Sequence, residues 1–511
     1  MVSTINRTPT NEPDTQLYAS VAQNWIETGS GVPTVTRNSP LAADHVAFYG
    51  PVYFSLTGAS IKLFGPSKLS PRLVSLAGAL LLAASAALLT VALGGRAAPW
   101  PWSILLILLA PEVRYGATSG SMETLAVGQL LAGLACMAVA FGPTRRPNWW
   151  ASAAGLALGL AALTTPRTYP MVFACLAVGA VQFRSDRRGR HVVAVTAAWI
   201  ALALGAWAVA HLGSVGAWVR MIVGVMTQED RDVAVLGERQ WSVTLPRLVT
   251  PIAAMIVAFA AAKLLDRRRQ LRGRNAPAEF ALVAAYTGSI AAFVLMDLTF
   301  TVGIYFAVPL LVAGLAQPWA QLDAPARAVT LGRALLLGIL TASALLTYGR
   351  AAATWDARDQ SRLVAFLGAH VAPGAAVIGP PNRYFFAVAQ VQAMYFTPKL
   401  ISFADWTRWI APSTDEGTID RGQPAPAASA GRFLLWPTEW TVFWDGYECA
   451  AGHEVARYVA PPPNWPTLGR LLRGNDRGVP DTTLYALPPG CPVGYDPTGS
   501  APNPFRAPSR R

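Results

Sequence analysis

The chain is poor in charge, cysteine and histidine, and each shortage excludes a class of protein. Charged residues fill only 14% of its 511 positions, against about a quarter in soluble globular proteins. Its four cysteines and five histidines show no spacing that resembles a zinc site. There is no Gly-x-x-x-x-Gly-Lys loop and no strand-linked Gly-x-Gly-x-x-Gly, so no nucleotide cradle is expected. No internal repeat is evident. Acids are scarcer than bases, 28 against 41, giving a formal charge of +13.

Apolar residues are abundant, at 53%, and come in long runs such as "LVSLAGALLLAASAALLTVALGG" (73–95) and "METLAVGQLLAGLACMAVAFG" (122–142). Runs of this length cross a hydrocarbon core of about 30 Å. Ten crossings are expected, at about 72–95, 101–113, 121–142, 149–164, 168–183, 191–212, 247–265, 279–297, 301–318 and 331–349. The arginines cluster between them, in "TRR" (144–146), "RSDRRGR" (184–190) and "DRRRQLRGR" (266–274). This placement fits cytoplasmic loops of a bacterial inner-membrane protein. A nucleic-acid face would need aromatic and polar interleaving on a folded surface, so no nucleic-acid partner is expected.

With the arginine loops inside, the opposite side receives residues 1–71, the turn at 112–120, the turn near 165–168, loop 213–246 and everything after 350. Loop 213–246 holds three arginines against four acids, whereas 266–274 holds five arginines against one. Ten crossings put both ends outside, and "MVSTINRTPT" resembles neither a signal peptide nor a start helix. A preceding membrane helix is therefore expected upstream.

The expected domains are a first outer loop with interfacial helices over 1–71, a transmembrane bundle over 72–349, and an extracytoplasmic α/β domain over 350–495. A Pro-rich, disordered tail over 496–511 completes the chain. In the α/β domain "DARDQSRLVAFLGAHV" reads as an amphipathic helix, and "PGAAVIGP", "GRFLLWP" and "TTLYALP" read as strands. Cys449 and Cys491 both fall there. An oxidising compartment favours a disulfide between them, the alternative being two unpaired thiols. Cys136 and Cys175 fall within spans as small hydrophobes.

Several stretches carry candidate chemistry. In "NEPDTQLYASVAQNWIETG" (11–29), Leu17, Val21 and Trp25 form a stripe on a helix expected along the membrane surface. Asn11 or Asp14 either caps that helix or Asp14 offers a carboxylate. "PEVRYGATSGSMETLA" (111–126) puts Arg114 and Glu123 at the outer boundary, as a structural ion pair or as functional groups. Lys62, Lys68 and Arg72 either hold an anionic head group or snorkel. Asp297 is the main acid within a span. His45 reads as a solvated loop histidine, and Gly155 with Gly159 as a close helix contact.

Taken in order, "PDTQLYASVAQNWIETG", "GPVYFSLTGASIKLFGPSKLSPRLVS", "RYGATSGSMETLA" and "GLALGLAALTTPRTYP" resemble the GT-C superfamily of polyprenyl-phosphate-sugar-dependent glycosyltransferases. The closest group is that of the protein O-mannosyltransferases and lipid A aminoarabinose transferases (glycosyltransferase family 39-like). The resemblance implies a mainly α polytopic membrane fold, a GT-C-like transmembrane bundle with a small C-terminal extracytoplasmic α/β domain. It implies catalytic carboxylates at Asp14, in the first outer loop, and Glu123. Relatives usually carry Asp-Glu followed by a Tyr three residues after the Glu. Here Asp14 and Tyr18 keep the frame, while Thr15 replaces the Glu.

"FYGPVY" also lacks a lysine that relatives often show, so the lipid phosphate would be met by Arg72, Arg114, Arg167 or Tyr305. With Tyr18, Tyr53 and Tyr115 these form the implied substrate-binding set. The implied partners are a polyprenyl-phosphate sugar, the membrane, and an extracytoplasmic glycan, lipid or protein acceptor. No cofactor is required; a divalent metal, if used, would be held by Asp14 and Glu123. Two other classes stay open: a transporter or flippase for a lipid-linked glycan, and a catalytically silent polyprenyl-lipid-binding relative.

Overall fold

The computed structural model describes residues 13–31, 45–65, 69–94, 100–216, 219, 241–272, 275–295, 303–319, 325–353, 355–359, 361–371, 376–379, 392–395, 432–437, 448–462, 464 and 481–488. Asp297, Lys68, Cys491, the tail 496–511 and most of loop 213–246 lie outside them. The chain divides into two compact units. One comprises Met1–Leu73, Thr118–Ser121 and Tyr348–Arg511, the other Val74–Ala117 and Met122–Thr347.

The first unit opens with α1 (Pro13–Thr28), α2 (His45–Tyr49) and α3 (Pro51–Phe64). The helix starts at Pro13, so Asp14 lies in its first turn, and Pro at that end suits a helix start because its missing N–H is an orphan anyway. Residues 18–22 are buried on every side. Burial on α1 thus extends beyond the stripe that holds Val21 and Trp25. It packs against α3, and Trp25 Nε1 donates to Ser55 Oγ at 3.2 Å.

The same unit ends in an α/β domain, with α15 (Ser361–His370) and a five-stranded mixed sheet of order β2-β1-β3-β5-β4. The strands are β1 (Ala376–Gly379), β2 (Gln392–Tyr395), β3 (Arg432–Pro437), β4 (Glu454–Tyr458) and β5 (Thr482–Ala486). β1 runs parallel to β2 and β3, whereas β5 runs antiparallel to β3 and β4. Leu363, Leu367 and Val371 recur every four residues and are buried, one face of a helix. Phe366 meets Tyr458 of β4 at 5.8 Å between ring centres. Leu434, Leu435 and Trp436 are enclosed on β3, as suits a strand in the middle of a sheet. Cys449 is disulfide-bonded.

The second unit is a helical bundle. Its helices are α4 (Leu69–Gly94, of which the unit takes the part from Val74), α5 (Trp100–Leu109), α6 (Pro111–Ser119), α7 (Glu123–Phe141), α8 (Pro147–Ala162), α9 (Tyr169–Gln182) and α10 (Arg187–Leu212). They continue as α11 (Trp241–Arg272), α12 (Ala276–Leu295), α13 (Val308–Leu315) and α14 (Ala326–Ala353). Among the described residues four helices are long and apolar enough to cross a membrane: α4, α7, α10 and α14. Other expected crossings are shorter: α8 has 16 residues and α9 has 14, below the roughly 20 needed for a perpendicular span. α7 is enclosed by its neighbours, whereas α10 and α14 leave most of their apolar surface open. Leu202, Val209, Leu331 and Leu345 are among the exposed side chains, a pattern suited to lipid and costly in water.

Helix contacts rest on small residues, as expected where lipid removes the hydrophobic drive between helices. A Cβ on Gly128 of α7 would lie 2.7 Å from the Gly78 carbonyl oxygen of α4, and one on Gly78 would strike the Leu125 backbone. Ser85 Oγ donates across the same contact to the Gly128 carbonyl at 3.2 Å. Gly155 of α8 sits against the Thr196 carbonyl of α10, where a Cβ would come within 2.5 Å.

Replacing Gly128 by Ala should cost about 1–3 kcal/mol through overpacking against backbone that cannot rotate away. Gly205→Ala, in open space on α10, should leave stability unchanged or slightly raised. Thermal unfolding of the purified chain in detergent, followed by size-exclusion recovery, reads the difference.

Candidate functional site

In the bundle the N-terminus of α7 gathers the polar chemistry. Glu123 is the first residue of α7 and is 3% exposed. A carboxylate in the first turn offsets the positive end of the helix dipole, but burial demands more than that. The demand is met by Arg167, whose Nη1 donates to Glu123 Oε1 at 2.9 Å. About a third of the Arg167 side chain stays exposed, at 35%. Glu123 Oε2 is buried and has no hydrogen-bond partner among the described residues. One oxygen is therefore committed to Arg167, and the other is enclosed without a partner.

The turn that carries Arg167 is locked in place. Residues Pro166–Thr168 form a 3₁₀ turn, with the Thr165 side chain accepting from the Arg167 backbone N–H. Thr164 Oγ1 donates to Gln129 Oε1 at 2.8 Å, so α7 grips both ends of the turn: Gln129 holds Thr164 and Glu123 holds Arg167. At the other side of the helix start, Thr124 Oγ1 donates to the Ser75 carbonyl of α4 at 2.9 Å.

Of the two readings open for Glu123 and Arg114, the ion pair between them is not formed: Glu123 pairs with Arg167. Arg114 is buried in α6 and donates instead to the Leu109 carbonyl at 3.0 Å and to Ser343 Oγ of α14 at 3.1 Å. It ties two helices together. Tyr115 beside it is half-buried, and Glu112 is a second enclosed acid on the same helix. Tyr305 is buried within a π-helical turn, Gly303–Ala307, that leads into α13. Such turns loosen the backbone ladder and often accompany functional groups. Ser289 Oγ of α12 satisfies the Phe306 carbonyl there at 2.9 Å. The π turn and the 3₁₀ turn both pack against α7.

The first unit gathers a different set. Tyr18 of α1 meets Tyr49, Tyr53 and Phe54 edge-on, with ring centres 5.6, 6.1 and 6.0 Å away. The Tyr18 and Tyr49 hydroxyls lie 3.4 Å apart, and the Tyr53 hydroxyl donates to the Gly120 carbonyl. His45 is 2% exposed and stacks on Tyr49. It is a packed aromatic, not the solvated loop histidine expected, because α2 folds it under the neighbouring rings. Asp14 is one helical turn before Tyr18 on α1. Arg72 is fully buried in the first turn of α4, so it does not snorkel.

Among the described residues no three His, Cys, Asp or Glu side chains gather as a metal site. No step below is routed through a metal. Gln129 and Glu112 are the polar groups that sequence reasoning passed over. The signal for Gln129 was present: an amide inside the apolar run "LAVGQLLAG", where a polar side chain needs a buried partner.

No family model matches the chain, and no curated protein matches it in sequence. Among solved structures it is similar to ArnT from Cupriavidus metallidurans bound to undecaprenyl phosphate. That match has a TM-score of 0.53 at 14% identity and covers 96% of this chain and 97% of that one. The archaeal oligosaccharyltransferase AglB from Archaeoglobus fulgidus, in complex with an inhibitory peptide and a dolichol-phosphate, matches with a TM-score of 0.45 at 14% identity. It covers 75% of this chain and 60% of that one. The ArnT match extends over both chains almost end to end, and the fold is similar to that structure's: a mostly helical chain with a small α/β domain near its C-terminus.

Arg167→Ala should destabilise the bundle by about 2 kcal/mol, below the range for a fully enclosed pair because Arg167 keeps solvent contact. Adding Glu123→Gln should recover much of the loss by removing the stranded charge. A double-mutant cycle on thermal or denaturant unfolding measures the coupling.

Proposed function

We propose that the chain is an integral-membrane glycosyltransferase. It moves a sugar from a polyprenyl-phosphate donor to an acceptor hydroxyl on the extracytoplasmic side, with inversion at the anomeric carbon. The observation that carries this reading is the buried Glu123–Arg167 pair: a carboxylate with one oxygen free, beside a guanidinium that keeps part of its surface open. The ArnT-type fold agrees with it, since that relative was captured with undecaprenyl phosphate.

The reaction balances without an outside reductant or oxidant. The acceptor oxygen attacks the anomeric carbon, the carbon–oxygen bond to phosphate breaks, and polyprenyl phosphate leaves with the electron pair. The acceptor proton passes to a carboxylate, and Asp14 is assigned that role. A carboxylate of ordinary basicity is sufficient when the proton moves late. Charge growing on the departing phosphate is offset by arginine, with Arg167 the first choice. Glu123 aims that guanidinium and offers its free oxygen to a donor group on the acceptor. Tyr18, Tyr53, Arg72, Arg114, Tyr115 and Tyr305 complete the proposed substrate-binding set. The phosphate ester is already activated, so no nucleotide is consumed.

Membrane orientation follows from charge. The arginine loops face the cytoplasm by the positive-inside bias, and residues 1–71 and the α/β domain face the other side, in a bacterial inner membrane.

Purified protein incubated with polyprenyl-phosphate sugars should release free polyprenyl phosphate. Asp14→Asn should abolish release while leaving the unfolding midpoint unchanged. Arg167→Ala should lower turnover by about a hundredfold or more. Near-normal turnover in folded Asp14→Asn overturns the base assignment.

A further inference from the structure

The bundle brings together three basic loops that lie far apart in the sequence. Arg188 Nη2 donates to the Gly142 carbonyl at 2.8 Å and to the Thr144 carbonyl at 3.2 Å, pinning the start of α10, just past the loop after α9, to the loop after α7. Gln182 Nε2 donates to the Ala276 carbonyl at 2.9 Å, pinning the end of α9 to the start of α12. Residues 273–275 alone separate Ala276 from the basic end of α11. Beneath them Phe141, Phe183 and Phe280 form a triad. Phe141 stacks on Phe183 at 3.9 Å and meets Phe280 edge-on at 4.8 Å. This is a built platform, with an aromatic floor under three joined loops.

Its rim is charged on one side of the ledger of signs. Arg145, Arg146, Arg184, Arg187 and Arg190 are all exposed, and Arg267 and Arg269 are exposed at the end of α11. The acids on these loops and helix starts are Asp186, Asp266 and Glu279. Asp186 is already engaged, accepting from the Arg188 and Gly189 backbone N–H groups as the cap of α10. Just below the rim stand exposed apolar side chains, Trp149 and Val181. A Trp beside a basic cluster at a helix end marks the headgroup level of a bilayer.

We propose that this end of the bundle binds anionic phospholipid headgroups of the adjoining leaflet, with the arginine rim on the phosphates and Trp149 among the upper acyl carbons. Charge complementarity selects this occupant. A fixed excess of guanidinium beside a hydrocarbon-facing Trp fits a phosphate that is itself joined to hydrocarbon. The arrangement stands apart from the proposed transfer chemistry and gives the bundle a lipid requirement of its own.

The test uses the full chain purified in detergent and probed with phosphatidylglycerol, phosphatidylcholine and inorganic phosphate in turn. Native mass spectrometry reads the retained lipid. Phosphatidylglycerol should be retained about tenfold more than phosphatidylcholine, and the combined Arg145→Gln, Arg187→Gln and Arg190→Gln variant should lose about that preference. These three side chains are exposed, and Arg188, which joins the loops, is left in place. Near-molar salt should erase the preference in the unaltered chain, a reading that does not depend on the variant folding. Equal retention of the two lipids, an unchanged preference in the folded triple variant, or displacement of phosphatidylglycerol by equimolar inorganic phosphate overturns the proposal.

Discussion

The contact between α4 and α7 is the constraint on which the bundle's chemistry depends. Two glycines, Gly78 and Gly128, let the two backbones approach more closely than any side chain would allow. Hydroxyls then bridge the seam: Thr124 reaches the Ser75 carbonyl and Ser85 reaches the Gly128 carbonyl. In hydrocarbon, where apolar side chains gain little by meeting each other instead of lipid, such close packing and hydrogen bonding supply the cohesion. The helix held in this way is the one that begins with Glu123. Its buried carboxylate is met by Arg167, which is delivered to it by a turn that Gln129 also clasps.

The bundle was readable in the sequence because hydrocarbon imposes a long and nearly uniform signal. Apolar runs, punctuated by arginine loops, coincide with α4, α5 and α7 through α14, whereas α6 falls where a turn at 112–120 was expected. Three of the strands were equally plain, since "AVIG", "RFLLWP" and "TTLYA" are apolar or β-prone between turn residues. β2 and β4 were not. "QAMY" lacks β-branched residues, and "EVARY" is an edge strand interrupted by a register shift between Glu454 and Ala456, which breaks the alternation that a reader looks for. On α1 Val21 and Trp25 share a face, but the small residues Ala19, Ser20 and Ala22 are buried too. A stripe in the sequence does not reveal burial on the faces between.

Candidate site residues stood out one at a time, and their pairing did not. Glu123, Arg114 and Arg167 each stood out as an ionisable group beside an apolar run, where charge is costly. Sequence proximity offered Arg114 as one possible partner of Glu123, yet the partner is Arg167, 44 positions away. Helix packing decided this, because α6 carries Arg114 toward Ser343 of α14. His45 teaches the same lesson. Its neighbours in the chain suggest a loop, while its neighbours in space are aromatic rings.

Arginines hold α7 at both of its ends. Arg167 engages the carboxylate on its first residue, and Arg188 takes the carbonyls that its last turn leaves open, at Gly142 and Ala140. Sliding the helix lengthwise by even one residue would break a charged contact at one terminus before relaxing the other. It therefore acts as a stator. Any rearrangement within the bundle falls to parts bordering it, and the π turn at Gly303–Ala307, with its slack backbone ladder, is the joint best suited to yield.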